Sequence, residues 1–419
     1  MNGSNGNGGG VQAIRSVVRL GIEALIARAE EFMGLTFGVL TNQSTIMPDG
    51  QTVPDALIRA GFHVVRLFGP EHGFVAEAQD TVSVDDSRLQ GIDVVSLYGT
   101  RFRPDKRHLS DLDAVIIDIQ DIGCRYYTYL YTAAAVIEEC AEAGVHTFVC
   151  DRPNPIGAAY VEGGPLPRGS ESEVGGYGLA VRHGLTIGEY TRYLGGDFAR
   201  TYAQYHRPKR PKMPTPWITE PTVFWMESYT RDMTYRDTGL PWKQPSPNLP
   251  TPETALVYPG TCLFEGTNIS EGRGTTRPFE IIGAPWIVAE TLREDLRQQN
   301  LPGTVFSVVD FVPTFSTYAG EPCRGVQLHV TDPLVFDAVR TGVEMLVAVR
   351  KQDSTRFVWR PLWEDARRSF IDHLTGGDEF RHAVDGGASP VEAYQILDRD
   401  ASVYAAAREP VLHYRGAKD

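Results

Sequence analysis

A glutamate and a histidine stand next to each other between glycines in Gly-Pro-Glu-His-Gly at residues 69–73. The segment follows a short apolar stretch, residues 63–68, that is typical of a β-strand. Glu71 and His72 in this position suit general acid–base chemistry or metal binding. The sequence has no His-Glu-x-x-His motif and no second histidine at helical spacing, so we predict acid–base chemistry and no metal ion. A solvated turn is the alternative interpretation.

A second cluster combines acidic, basic and aromatic side chains within residues 118–129. Carboxylates bind sugar hydroxyls, aromatic faces pack against sugar rings, and an arginine binds an anionic substituent. The segment therefore predicts a carbohydrate site, and an Asp–Arg ion pair that fixes a helix start is the alternative. The candidate binding residues are Asp118, Gln120, Asp121, Arg125, Tyr126 and Tyr127.

A third segment, residues 265–276, is rich in glycine and carries Glu265, Asn268, Glu271 and Arg273. Small residues let a ligand approach the backbone closely. The Gly-Lys-Ser/Thr ending of a phosphate loop is absent. We predict substrate contacts here, with a mobile surface loop as the alternative.

The elements that position these clusters alternate between short apolar strands and helical patterns. We predict strands at residues 37–42, 63–68, 93–98, 114–119 and 146–150, and a helix over 128–143 that stops at Gly144. This alternation predicts an α/β fold with a Rossmann-like, doubly wound, mostly parallel sheet. Polar residues follow the strands, where such sheets bind ligands, and they add Asn42, Arg152 and Asn154 to the candidates.

After about residue 250 the pattern changes to a second, smaller α+β region. It has predicted helices at 284–299, 334–351, 359–374 and 390–397, and a predicted strand at 305–312. Residues 157–178 are rich in glycine and proline and are predicted to form a long loop. The domain limits we expect are a disordered tail at 1–12, an N-terminal domain at 13–250 and a C-terminal domain at 251–419.

Composition excludes several functional classes. The chain has 419 residues, of which 42% are hydrophobic and 22% charged, and these values are typical of a soluble globular protein. Its net charge of −13 disfavours nucleic acid and anionic membranes as partners. No apolar run is long enough for a membrane helix, so no membrane insertion is expected. Residues 1–10 lack the features of a signal peptide, which predicts a cytoplasmic location.

Two common enzyme signatures are absent from the sequence. There is no Gly-x-Ser-x-Gly, which argues against an α/β-hydrolase. There is no Gly-x-Gly-x-x-Gly after the first predicted strand, which argues against a nicotinamide dehydrogenase, and we expect no cofactor.

Several segments taken together resemble the exo-β-N-acetylmuramidase family of the NamZ type. They are Gly-Val-Leu-Thr-Asn-Gln at 38–43, Phe-Gly-Pro-Glu-His-Gly at 68–73, Asp-Ile-Gln-Asp-Ile-Gly-Cys-Arg-Tyr-Tyr-Thr-Tyr at 118–129 and Asp-Arg-Pro-Asn-Pro at 151–155. Further matches are Arg-His-Gly at 182–184, Ser-Pro-Asn-Leu-Pro at 246–250, which adds Asn248 to the candidates, and residues 258–280. The resemblance runs from about residue 35 to the C-terminus.

This resemblance implies a Rossmann-like domain, a smaller C-terminal domain and an active cleft between them. It implies release of N-acetylmuramic acid from the non-reducing end of peptidoglycan-derived muramyl saccharides, with Glu71 as the catalytic glutamate. Many members of the family are exported, which this chain's first residues do not indicate.

The residues fit this chemistry, because glycosidases protonate the leaving oxygen with a carboxyl group. Glu71 is the expected proton donor, and His72 is expected to orient it. The second group stays open among Asp118, Asp121, Glu265, Glu271 and the acetamido group of the substrate itself. The lactyl carboxylate of the sugar requires a cation, for which the candidates are Arg125, Arg152 and Arg273. The alternatives are an enzyme for a related amino sugar and a non-catalytic sugar- or nucleotide-binding module.

Overall fold

The computed structural model describes residues 18–71, 73, 86–89, 91–99, 101–202, 220–362 and 368–416. The predicted tail at 1–12 and the candidate His72 lie outside these ranges. None of the helices in the described ranges combines the length and the apolar character that crossing a bilayer requires.

The N-terminal half forms a central sheet and a separate hairpin. Its strands are β1 (Thr36–Leu40), β2 (His63–Gly69), β3 (Ser87–Leu89), β4 (Ile92–Ser96), β5 (Ala114–Ile117), β6 (His146–Cys150), β7 (Glu162–Pro165), β8 (Ala180–Arg182) and β9 (Thr222–Phe224). Strands β7 and β8 pair with each other, and the others form the central sheet in the order β3-β4-β2-β1-β5-β6-β9. Only β3 pairs antiparallel within this sheet of the described residues.

The parallel strands of this sheet have the Rossmann arrangement. Numbered along the chain, they lie in the order third, second, first, fourth, fifth and sixth. The order in which strands are added to the sheet therefore reverses between β1 and β5, which is its switch point. Leu40 at the end of β1 pairs with Phe68 on one side and with Ile117 on the other. The residues that follow β1, β2 and β5 therefore emerge side by side at the switch point of the sheet.

Both faces of the sheet are buried, which explains why its strands are apolar throughout. Helices α1 (Gly21–Ile26) and α2 (Val53–Arg59) cover the face that contains Phe37 and Ile116. The opposite face is covered by α3 (Tyr129–Ala143), with α4 (Ile187–Gly195) and α5 (Asp197–Arg200) beyond it. Helix α3 ends at Gly144 with φ +73, as predicted.

The C-terminal half contains an antiparallel sheet with helices packed against it. Its elements are α6 (Pro252–Thr261), β10 (Ile281–Ala284), α7 (Ala289–Gln298), β11 (Thr304–Phe311), β12 (Cys323–Val330), α8 (Ala338–Gln352), α9 (Phe370–Thr375), α10 (Glu379–Asp385), α11 (Pro390–Leu397) and α12 (Ala401–Arg408). The strand order is β10-β12-β11. Its buried core is continuous with the α3 face of the first sheet, so the two halves pack as neighbours.

The last residues of the chain return to the N-terminal half. The Tyr404 hydroxyl donates to the His183 carbonyl oxygen at 2.8 Å, and the Tyr414 hydroxyl donates to Asp151 Oδ2 at 2.6 Å. The limit near residue 250 remains a prediction, and the end of the predicted C-terminal domain is attached to the N-terminal one.

Some sequence predictions require correction. The predicted helix at 359–374 begins later, at Phe370, because Trp359 and Pro361 form bridges to Thr267 and Ser369. The predicted helix at 284–299 begins later, at Ala289, since Ala284 ends β10. The predicted loop at 157–178 contains β7.

Candidate active site

Glu71 lies half-buried just after β2, at the switch point of the sheet. The Thr128 hydroxyl, at the start of α3, donates to Glu71 Oε2 at 2.6 Å. The Tyr129 hydroxyl lies 3.3 Å from the Glu71 carbonyl oxygen and 2.5 Å from that of Pro245, and it accepts from Asn42 Nδ2 at 2.8 Å. The segments after β1, β2 and β5 thus meet at Glu71, where Thr128 contacts the carboxyl group and Tyr129 the backbone.

A row of aromatic rings connects this carboxyl group with the C-terminal half. The Tyr127 ring centre is 4.6 Å from that of Tyr129 and 6.5 Å from that of Tyr258. Tyr258 packs edge-on against Phe279 at 4.7 Å, and the Arg273 guanidinium lies 5.1 Å from the Phe279 ring centre. The first and third motifs of the sequence therefore lie at opposite ends of one aromatic row.

Arg273 is held between two glutamates. Its guanidinium is 2.9 Å from Glu265 Oε1 and 3.7 Å from Glu271 Oε1, and its side chain remains 13% exposed. Glu271 also accepts through its carbonyl oxygen from the Phe279 N–H at 2.6 Å. The two glutamates hold Arg273 in place, and part of its side chain remains accessible to a ligand.

Asp118 and Arg152 form a buried ion pair rather than an open site. Arg152 Nε donates to Asp118 Oδ1, and the guanidinium is also 3.4 Å from the Ile46 carbonyl oxygen. Burial raises the pKa of Asp118, and the Arg152 charge opposes this rise. Both side chains are almost fully buried, which suits them to supporting the loops after β5 and β6.

Arg125 links three segments through backbone carbonyl groups. It donates to Gly164 O at 3.2 Å, Leu179 O at 3.0 Å and Leu374 O at 2.8 Å, and only 2% of it is exposed. Tyr126 lies against this guanidinium, at 5.6 Å from ring centre to Cζ. These two residues join the second motif to β7 and α9.

The candidate amides mostly bind backbone groups. Gln120 Nε2 donates to Pro153 O at 2.9 Å, and Asn154 Nδ2 donates to Leu185 O at 3.0 Å. Asn268 bonds the backbone at both 356 and 358, through its Nδ2 and Oδ1. Asn248 is buried in the segment that carries Pro245. Asn42 and Gln120 follow β1 and β5 at the switch point, whereas Asn268 is bonded to the segment at 356–358.

Some residues with a place in this arrangement were not among the sequence candidates. Thr128 and Tyr129 belong to the second motif, so their hydroxyls next to a predicted helix start were a usable signal. His183, which contacts Asp121, lies in the Arg-His-Gly segment, and nothing in its local sequence indicated that contact. Among the described residues, no trio of His, Cys, Asp or Glu side chains is arranged to hold a metal ion.

A half-buried acid beside hydroxyls and a row of packed aromatic rings, at the ligand edge of a Rossmann-like sheet, has the features of a carbohydrate-processing enzyme. Family models for the exo-β-N-acetylmuramidase NamZ match its N-terminal domain at residues 37–253 and its C-terminal domain at residues 256–414. The chain therefore belongs to the exo-β-N-acetylmuramidase NamZ family, and it is a glycosidase.

Similar proteins agree with this assignment. The peptidoglycan β-N-acetylmuramidase NamZ of Bacillus subtilis strain 168 is 36% identical over 401 residues, which cover 95% of this chain and 91% of the relative. Crystal structures of two DUF1343 family proteins from Bacteroides fragilis have the same fold. One has a TM-score of 0.81 at 28% identity and covers 95% of this chain and 99% of its own. The other has a TM-score of 0.72 at 29% identity, and the match covers 96% of this chain and 100% of that protein.

Proposed function

We propose that this protein releases N-acetylmuramic acid from the non-reducing end of peptidoglycan fragments and that Glu71 protonates the glycosidic oxygen. The substrate class follows from the family and from the relative named as a peptidoglycan β-N-acetylmuramidase. The assignment of Glu71 rests on its geometry.

The hydrogen bond from Thr128 to Glu71 carries this assignment. The Thr128 hydroxyl donates to Glu71 Oε2 at 2.6 Å and so fixes the orientation of the carboxyl group. An acid held in a fixed orientation is what general acid catalysis requires.

Buried polar atoms without a hydrogen-bond partner among the described residues support sugar binding by the second motif. Such atoms are rare in native proteins and point to a missing polar partner. Apart from the buried Asp118 and Arg125, the atoms of this kind in the motif are Gln120 Oε1, Asp121 Oδ1, Tyr126 Oη and Tyr127 Oη. A sugar with several hydroxyl groups supplies partners of this kind.

Arg273 is our choice for the lactyl carboxylate of the sugar. Arg125 and Arg152 are almost fully buried, whereas Arg273, although it is paired with Glu265, keeps 13% of its side chain exposed at the end of the aromatic row. A protein of net charge −13 repels anions in general, so a local cation is required.

The test is a comparison of two disaccharides that differ only in their non-reducing sugar, N-acetylmuramic acid or N-acetylglucosamine. We expect free N-acetylmuramic acid from the first and little product from the second, as measured by mass spectrometry. Tight binding of the muramyl disaccharide without hydrolysis would instead identify a binding module. Preference for the glucosaminyl disaccharide would identify an enzyme for a related sugar.

A further inference from the structure

We propose that Asp121 is the second carboxylate of the reaction, and that His183 is the residue that positions it. This inference rests on the proposed function. In an oxocarbenium-like transition state, positive charge develops at the anomeric carbon, and a nearby unneutralised carboxylate stabilises it.

Ion pairing distinguishes the four acidic candidates from one another. Asp118 is paired with Arg152, and both Glu265 and Glu271 lie beside Arg273. Asp121 has no cationic side chain within ion-pair distance among the described residues except the imidazole of His183. Arg152 neutralises Asp118, and Glu265 and Glu271 lie with Arg273 at the other end of the aromatic row, so Asp121 is the remaining candidate with charge to offer.

The hydrogen bonds of His183 fix the orientation of its ring toward Asp121. The Leu185 N–H donates to His183 Nδ1 at 3.2 Å, so this nitrogen carries no proton. Nε2 therefore carries the proton and faces Asp121 Oδ2 at 3.2 Å, and the Gly123 N–H donates to the same oxygen at 2.7 Å. Asp121 Oδ2 is thus held by the Gly123 N–H and by His183, and neither is an arginine or a lysine.

The position of Asp121 agrees with this role. Glu71 follows β2 and Asp121 follows β5, and these strands flank β1, so both residues emerge at the switch point of the sheet. The Asp121 side chain is 8% exposed, while that of His183 is fully buried, so only Asp121 is placed to meet a substrate.

The test uses two substrates, the muramyl disaccharide and an aryl β-N-acetylmuramide whose nitrophenolate leaves without protonation. We expect Glu71→Gln to lower kcat less on the aryl substrate than on the disaccharide, because the nitrophenolate needs no proton to leave. We expect Asp121→Asn to lower kcat by roughly 10²-fold or more on both, because the charge at the anomeric carbon develops in either case. Near wild-type kcat for Asp121→Asn on the aryl substrate would overturn the inference.

Variants of His183 separate positioning from folding. His183→Gln keeps an N–H near the place of Nε2, so we expect it to retain most of the kcat. His183→Ala is expected to lower kcat by roughly 10- to 100-fold with little change in KM. The matched control is His146→Ala, which removes a histidine that contacts Thr222 at 2.9 Å on the far strands of the same sheet and should leave kcat unchanged.

The outcomes also separate this inference from the proposed function. If the wild-type protein hydrolyses neither substrate, the proposed function fails. If the wild-type protein is active and His183→Ala matches His183→Gln in kcat, the positioning role of His183 is wrong. Circular dichroism and thermal unfolding of each variant show that the kinetic differences come from folded protein.

Discussion

Arg273 lies over the ring of Phe279, and Phe279 has a left-handed backbone with φ +62. A bulky residue in this conformation costs on the order of 1–3 kcal/mol and persists only where its surroundings impose it. Here the 2.6 Å hydrogen bond from the Phe279 N–H to Glu271 and the packing on Tyr258 impose it. The strain is located beneath the cation that we assign to the substrate carboxylate, where it fixes the distance between that cation and the aromatic row.

Thr128 is expected to influence catalysis through Glu71 alone. Thr128→Val removes the 2.6 Å hydrogen bond but keeps the shape of the side chain, so we expect kcat to fall by roughly 3- to 15-fold. Thr128→Ser restores the hydroxyl and should restore kcat. Steady-state kinetics on the muramyl disaccharide measure both, and equal kcat values for the two variants contradict the orienting role.

Glu71→Gln is expected to lower kcat on the muramyl disaccharide by roughly 10²- to 10⁴-fold, the usual contribution of a general acid. Substrate binding should be largely unchanged, because the amide keeps a carbonyl oxygen for Thr128. Calorimetric titration of the variant with the disaccharide measures that binding. Near wild-type turnover would mean that another group protonates the leaving oxygen.

Local patterns were sufficient to predict the framework of the N-terminal half. Strand β6 was predicted with its observed limits, and α3 stops at Gly144, because strand burial and helix termination are determined by neighbouring residues. The Thr186–Glu189 capping box at the start of α4 has the same local origin.

The roles of individual arginines were not accessible to sequence reasoning in the same way. Arg125 and Arg273 were both candidates for an anion, but Arg125 binds the Leu374 carbonyl group, 249 residues further along the chain. The start of the predicted helix at 359–374 was wrong for a similar reason, since Trp359 pairs with Thr267 from a distant segment. Such long-range contacts leave no periodic pattern in the sequence.

The Asp118–Arg152 pair is expected to control stability. Arg152→Met leaves Asp118 buried without its counter-charge, which costs about 3–5 kcal/mol of unfolding free energy. Because burial raises the pKa of Asp118 in the folded state, the folded protein binds more protons than the unfolded chain above the ordinary aspartate pKa. The variant's stability should therefore fall as pH rises from about 5 to about 7.5.

Urea unfolding of wild-type and variant protein at both pH values measures this effect. The double variant Asp118→Asn with Arg152→Met removes the unpaired charge and should recover part of the loss. If the loss of unfolding free energy in Arg152→Met is the same at both pH values and in the double variant, it does not come from an unpaired Asp118 charge.

Activity is expected to be insensitive to metal chelation. No metal-binding trio of side chains is present in the described parts of the chain, and protonation by Glu71 requires none. Dialysis against EDTA followed by the disaccharide assay measures this. Loss of activity that one divalent ion restores would contradict the prediction.

Arg273→Ala is expected to reduce activity on one sugar and not on the other. Charge-assisted hydrogen bonds contribute about 1.5–3 kcal/mol, so kcat/KM on the muramide should fall roughly 10- to 150-fold. Residual activity on the glucosaminide should barely change, because that sugar has no carboxylate to lose. The ratio of the two activities is unaffected by partial misfolding, which lowers both.

Two further variants test whether Arg273 is the correct cation. Arg125→Ala removes hydrogen bonds to three carbonyl groups and should lower both activities through stability. Lys243 is half-buried and lies close to Pro245 in the chain. The Pro245 carbonyl oxygen contacts Tyr129, which also contacts the Glu71 backbone. Lys243→Ala therefore tests an alternative cation to Arg273. If Lys243→Ala alone abolishes the preference for the muramide, the carboxylate binds next to Glu71 and not at the end of the aromatic row. If Arg273→Ala alone abolishes it, the carboxylate binds at Arg273.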